Sequence, residues 1–257
     1  MDKRIFCVCA VGKDEEDYLD EWIQHHLSIG FDYIVFYDNN DNDKQWQVYR
    51  KYDRVIPFKI TNSKYLQLKA YSHFFTNLAN NFDYVACLDC DEFICFNPNQ
   101  PIQNIKQLCI HDYYHLNWVI MDDNDLLYKD NRPLLERFTR PYDINSFGHY
   151  TFPVNSHIKS IIKCRNKNLR YIHPHYFNYD KPCYNAEQQK VNGSSAFMDL
   201  NLNVAYIKHF YTKSAEEYKN RKMKHLRADL GTPLYDVEHF FKYNKFTPEK
   251  LNILTTP

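Results

Sequence analysis

From residue 4 to residue 88, short apolar runs alternate with segments of helical period, and two of the apolar runs end in an aspartate. Residues 4–11 (Arg4-Ile5-Phe6-Cys7-Val8-Cys9-Ala10-Val11) form a continuous apolar stretch of the kind buried on both faces of a sheet. Tyr18, Leu19, Trp22, Ile23, His26 and Leu27 then recur at helical spacing. Acids crowd the first turn of that helix, from Asp14 to Asp17, where the helix dipole favours anions, and Gly30 stands at the C-cap. Strands are expected over 33–37, 55–60 and 84–88, with a helix over about 65–80 between the last two. Strand–helix alternation predicts right-handed crossovers and an α/β fold with a mainly parallel central sheet flanked by helices. Ligands bind such sheets at the carboxyl ends of the strands. Asp38 closes the second strand and Asp89 the fourth, so both fall on that rim.

Beyond residue 95 the alternation loosens. Strands are expected over 113–121, 157–164, 169–172 and 204–211. Ser214-Ala215-Glu216-Glu217 has the spacing of a capping box, opening a basic helix with Lys219, Arg221, Lys222, Lys224 and Arg227. The aromatic tail 235–254 reads as a final helix. No repeat or linker divides the 257 residues, which make one domain: a half from 1 to 95, a second from 96 to 230 and a helical tail from 231 to 257.

Composition excludes several classes. Only 5 glycines are present and neither GxGxxG nor GxxxxGK[ST] occurs, which argues against a Rossmann dehydrogenase or P-loop enzyme. Any bound phosphate must then be held by side chains or by a metal. Lys+Arg and Asp+Glu balance at 32 each, without the positive excess that non-specific nucleic-acid binding needs, so no nucleic-acid partner is expected. The apolar run 5–11 is followed at once by Lys13-Asp14-Glu15-Glu16 rather than a cleavage site, and no run approaches the ~20 residues of a membrane span. A cytoplasmic location is the expectation. The eight cysteines read as reduced, buried small hydrophobes. Cys87-Leu88-Asp89-Cys90, with Cys7 and Cys9 on a nearby strand, keeps a zinc or redox alternative open.

The strongest chemical signal is Asp89-Cys90-Asp91-Glu92. Alternate side chains of an extended segment share a face, so Asp89 and Asp91 can together offer hard oxygen ligands to Mn²⁺ or Mg²⁺. Such a metal would neutralise a diphosphate leaving group. The competing reading is a loop that merely begins with acids. A general base is needed to deprotonate an acceptor hydroxyl, and Asp122 and Asp123, following the strand that carries Trp118, are the candidates, with Asp125 and the weaker Glu136 beside them. Each also reads as a plain loop acid.

The stretches Val11-Gly-Lys-Asp-Glu-Glu-Asp-Tyr-Leu-Asp-Glu-Trp-Ile-Gln-His-His26, Gly30-Phe-Asp-Tyr-Ile-Val-Phe-Tyr-Asp-Asn39 and Leu88-Asp-Cys-Asp-Glu-Phe93 resemble GT-A-fold glycosyltransferases of the family 2 and family 92 kind. Asn117-Trp118, His157-Ile-Lys-Ser160 and Tyr206-Ile-Lys-His-Phe-Tyr-Thr-Lys-Ser214 are similar to that group too. Asp14 departs from an Asn usual in the group, and Cys90 from a Val or Ala. The resemblance implies that Val11 and its loop, with Asp38, hold the nucleoside. It places Asp89 at the ribose or a metal-bound water, Asp91 and His209 at the metal, and Lys213 at a phosphate. The packed-histidine reading of His209 and the solvated reading of Lys213 stand beside those roles. His173-Pro174-His175 is a secondary candidate for a metal pair or acceptor contact. The activity implied is inverting transfer of a hexose, galactose among the candidates, from a UDP-sugar to a saccharide or lipid-linked saccharide acceptor in surface-polysaccharide assembly. The basic helix offers a peripheral contact with an anionic membrane. A metal-dependent nucleotidyltransferase or phosphohydrolase, and a non-catalytic sugar-binding module, are the rivals.

Overall fold

The computed structural model describes residues 3–61, 65–143, 154–164, 170–171, 173–224 and 235–256. The expected first half forms as a βαβ unit: β1 (Phe6–Gly12), α1 (Glu16–Ser28), β2 (Tyr33–Asp38), α2 (Lys44–Tyr49), β3 (Val55–Lys59), α3 (Leu66–Asn77) and β4 (Tyr84–Cys87). β5 (Glu92–Phe96), α4 (Ile105–Leu108), β6 (Tyr113–Ile120), α5 (Leu134–Arg137) and β7 (Ile158–Lys163) follow. Four two-residue strands come next, β8 (Arg170–Tyr171), β9 (Phe177–Asn178), β10 (Cys183–Tyr184) and β11 (Lys190–Val191). β12 (Ala205–His209), α6 (Ala215–Asn220), α7 (Val237–Phe241) and α8 (Pro248–Thr255) complete the chain, so the tail holds two short helices in place of one. Leu169, Ile172 and Arg227 lie outside the described residues.

The sheet is mixed, which corrects the expectation of a mainly parallel one. Its order is β11-β10-β6-β7-β4-β1-β2-β3. β4, β1, β2 and β3 run parallel. β7 enters between β4 and β6 antiparallel to both, and β12 pairs parallel with β6 and antiparallel with β5. The cause lies between β4 and β5. The chain turns at once into β5, which leaves the β1–β4 plane for a ribbon with β12. The place beside β4 is thereby open to a strand from far along the sequence.

Helix α1 buries Tyr18, Leu19, Trp22, Ile23 and His26 against one face of this sheet, and the Trp22 indole donates to the Glu92 carbonyl at 2.8 Å. That bond fixes the helix to the strand carrying the acidic motif. Gly30, at φ +107, takes the left-handed turn after α1 that glycine adopts without strain. Gly12 ends β1 beneath the Phe36 ring, where a Cβ would lie 2.6 Å from Phe36 Cζ, so the loop after β1 is built on the absence of a side chain. The opposite face carries a second core holding Cys7, Cys9, Cys87 and Cys164 among Val35, Tyr71 and Phe74. None of the eight cysteines is in a disulfide. Burial pushes the thiols of Cys7 and Cys9 well up, leaving them inert hydrophobes.

Candidate active site

The acidic motif forms a tight turn at the carboxyl end of β4. The Glu92 backbone N–H donates to the Asp89 carbonyl at 3.1 Å, and the Glu92 carboxylate accepts the Asp89 N–H at 2.9 Å. Glu92 is fully buried, and burial pushes its carboxyl well up, with Lys159 opposing. Cys90 points into the core. The side chains of Asp89 and Asp91 then go to different partners.

Asp91 is 7% exposed and sits at the start of the β5–β12 ladder, where its carbonyl accepts the Phe210 N–H at 2.8 Å. Register brings His209 opposite Glu92, and His209 Nε2 lies 3.3 Å from Asp91 Oδ1. Lys222 Nζ lies 3.1 Å from Asp91 Oδ2. Burial alone would raise the Asp91 carboxyl, but Lys222 and His209 hold it well below its usual range. Burial lowers His209, with Asp91 partly opposing, which favours a neutral imidazole. Its Nδ1 is buried without a hydrogen-bond partner among the described residues.

Lys213 is 3% exposed, left-handed at φ 60, and its Nζ also has no hydrogen-bond partner among the described residues. The ammonium lies over the Tyr18 ring, 4.8 Å from its centroid. Burial and the nearby Arg221 push Lys213 down to about 8. Arg221 pairs with Glu15 at 2.6 Å and lies over the same ring at 5.2 Å. A buried ammonium without a partner is costly unless an anion arrives to complete it.

Asp89, 38% exposed at its side chain, accepts from Gln67 at 2.7 Å and pairs with Lys159 at 2.9 Å. Lys159 comes from the inserted β7, is almost wholly buried, and also reaches Glu92 at 3.4 Å. The expected metal set of Asp89, Asp91 and His209 is therefore not gathered into one group. Among the described residues no three His, Cys, Asp or Glu side chains cluster in a way that could hold a metal ion. Asp91 and His209 do meet. Mg²⁺ is commonly bound through one or two carboxylates plus substrate phosphates, and the Asp91 carboxylate with the His209 imidazole are the groups here that would hold such an ion.

Asp38 ends β2 on the expected rim, but it is fully buried and its oxygens are all engaged. Asn40 N–H and the Gln45 amide donate to one, Tyr49 OH and Lys59 to the other, at 2.5–3.0 Å. The structure thus gives it the task of holding the β2 loop rather than presenting a carboxylate to a nucleoside. Gln45 carries that order to the β1 loop, accepting from Glu15 N–H at 3.0 Å and donating to the Gly12 carbonyl at 3.2 Å. Val11, half-buried in β1, offers its carbonyl to the Cys90 thiol at 3.7 Å.

Asp122 and Asp123 follow β6 on the same side, yet both carboxylates are tied up. Asp122 pairs with Arg140 at 2.5 Å, and the fully buried Asp123 with Lys250 at 2.7 Å. Burial pushes Asp123 up, with Lys250 opposing. Asp125 is bound by both Arg140 and Lys250 at 3.0 Å, and Glu136 is exposed. Asp123 and Asp125 hold the C-terminal tail through Lys250. His175 Nδ1 donates to the Ile158 carbonyl at 2.8 Å, and Trp118 packs against His157, His175 and His209 at 4.4–5.1 Å between centroids.

Lys159, Glu15 and Arg221 also line the site, though no motif marks them along the chain. Lys159 had one visible signal, a lysine at an interior position of an apolar strand. The basic helix does not present one solvated face: it ends at Asn220, and Arg221 and Lys222 turn inward to Glu15 and Asp91. Among the described residues no helix is long and apolar enough to cross a membrane.

No family model matches the chain. A glycosyltransferase family 92 protein of Oryza sativa subsp. japonica is 28% identical over 103 residues, 38% of this chain and 18% of that protein. The match thus takes in less than a fifth of that relative's length. Among solved structures, a 4-diphosphocytidyl-2C-methyl-D-erythritol synthase from Anaerococcus prevotii aligns at TM-score 0.34 and 9% identity, covering 63% of this chain and 71% of that one. HddC from Yersinia pseudotuberculosis aligns at TM-score 0.39 and 12% identity, covering 67% and 82%. The two structural likenesses, at TM-scores of 0.34 and 0.39, carry no weight for function.

Proposed function

We propose that the chain is a glycosyltransferase that uses a UDP-sugar and a divalent cation, transferring a hexose with inversion to a saccharide or lipid-linked saccharide acceptor. One observation carries the reading. At the carboxyl end of β4, Asp91 meets His209 beside a buried Lys213 that has no hydrogen-bond partner among the described residues. An acid and an imidazole able to hold a cation, next to an ammonium in want of an anion, suit a metal-bound diphosphate. The partial likeness to a family 92 glycosyltransferase supports a sugar as the transferred group.

In this reading Asp91 and His209 hold Mn²⁺ or Mg²⁺, which supplies Lewis-acid stabilisation of the departing diphosphate. Lys213 and Arg221 give the phosphates fixed positive partners in a site shielded from water, where such charges act more strongly than in bulk. Asp89, oriented by Lys159 and Gln67 and still part-exposed, faces the nucleoside sugar. Asp122 and Asp123 are paired with Arg140 and Lys250, so the acceptor's base is sought elsewhere on the rim.

Incubation of the chain with UDP-hexoses, Mn²⁺ and a panel of oligosaccharide acceptors is expected to release UDP and lengthen an acceptor by one residue. Release of pyrophosphate from a nucleoside triphosphate and a sugar phosphate, with no lengthened acceptor, would favour a nucleotidyltransferase instead.

A further inference from the structure

We propose that Lys222 is an exchangeable counter-ion. It neutralises Asp91 in the free protein, passes to the donor's diphosphate when the nucleotide binds, and so releases Asp91 to the divalent cation. The proposal rests on the glycosyltransferase reading and deepens it.

The charge balance of the pocket is the first argument. Lys213, Arg221 and Lys222 face two carboxylates, Glu15 and Asp91, so one positive charge is in excess before any ligand arrives. A divalent cation added at Asp91 with Lys222 in place would raise that excess to three among largely buried groups. The negative charge of a nucleoside diphosphate offsets it. Cation and nucleotide therefore favour each other's binding, and coupling of this kind is reciprocal.

Geometry makes Lys222 the group that moves. Arg221 is anchored to Glu15 at 2.6 Å, and Lys213 is closed in over Tyr18. Lys222 is bound at Asp91 Oδ2 by one contact of 3.1 Å, and its side chain is 20% exposed. Its ammonium rests against the rings of Tyr211 and Tyr235, 4.5 and 5.3 Å from their centroids. It lies in a single turn of 3₁₀ helix, Lys222–Lys224, just past the end of α6. A lysine is a compact charge on a flexible four-carbon stem, able to shift several ångströms by rotamer change.

The test is Mn²⁺ binding to the intact chain, followed by the electron paramagnetic resonance signal of free Mn²⁺, for wild type, Lys222→Met and Lys222→Arg. Without nucleotide, Lys222→Met is expected to bind Mn²⁺ at least about fivefold more tightly than wild type, and Lys222→Arg to match wild type. With Mn²⁺ present, Lys222→Met is expected to bind UDP at least about fivefold more weakly by calorimetry. A gain in metal affinity is not an outcome that mere loss of structure produces. Unchanged or weaker Mn²⁺ binding by Lys222→Met, while wild type binds Mn²⁺ and UDP together, would overturn the exchange and leave the glycosyltransferase reading intact. Absence of joint Mn²⁺ and UDP binding by wild type would overturn both.

Discussion

Asp91→Asn is expected to lower kcat/KM for sugar transfer by about 10²–10³-fold, the size of loss seen when one donor is taken from an oxyanion hole, here through a weakened hold on the cation that shields the diphosphate. UDP binding should lose its dependence on Mn²⁺ in the same variant. The fold should persist, because the ladder between β5 and β12 uses the Asp91 carbonyl and leaves the carboxylate out. Lys222, part-exposed, can turn to solvent once its partner is neutral. Circular dichroism and calorimetry with and without Mn²⁺ check both halves of the expectation. Catalysis undiminished in Asp91→Asn would remove Asp91 from the chemistry.

The largest stability effect is expected at Glu217. Its carboxylate accepts from both Arg137 terminal nitrogens at 2.9 Å, from Tyr18 OH at 2.6 Å and from Ser214 Oγ at 2.6 Å, and it accepts the Ser214 N–H at 3.1 Å, the bond that closes the capping box of α6. Burial alone would raise its pKa, but Arg137, Ser214 and Tyr18 bring it down to about 2 from an ordinary 4.5. A carboxyl depressed in the folded state stabilises above its unfolded pKa and loses that contribution as pH falls towards the folded value. The shift corresponds to about 3 kcal/mol, as an order of magnitude, at neutral pH. Glu217→Gln should therefore cost about 3 kcal/mol in urea unfolding at pH 7, with the difference from wild type shrinking to less than about half by pH 3. An equal difference at both pH values would mean that the carboxylate's charge is not what the network uses.

That network holds Tyr18 under Lys213 and Arg221, so the stability of α6 and the shape of the anion pocket are one problem. Truncating Glu217 is therefore expected to disturb the anion pocket through Tyr18 as well as α6.

The sequence was legible where physics is local. The β1–α1–β2 pattern, the cap at Gly30, the capping box at Ser214 and the aspartates after two strands are written in periods of two and 3.6 and in turn chemistry. The mixed sheet was not, because β7 is locally an ordinary apolar strand. Its antiparallel entry beside β4 follows from where β5 leaves, a tertiary event that leaves no mark on residues 158–163. The site was legible in the same measure. Asp91 and His209, both singled out along the chain, lie side by side through register between β5 and β12. Asp38, Asp122 and Asp123 look like site acids along the chain, yet Lys59, Arg140 and Lys250 claim their carboxylates from distant segments. Arg221 and Lys222 read as surface charge because helical spacing cannot show that α6 stops at Asn220 and turns the next two residues inward.

A divalent cation and a nucleoside diphosphate are expected to meet at Asp91 and His209. Crystals grown with Mn²⁺ and UDP, measured at the manganese absorption edge, test it most directly. An anomalous peak in coordinating contact with Asp91 and His209, bridged to the diphosphate, is the predicted result. UDP bound in the cleft with manganese scattering elsewhere, or none beside those two side chains, would contradict it.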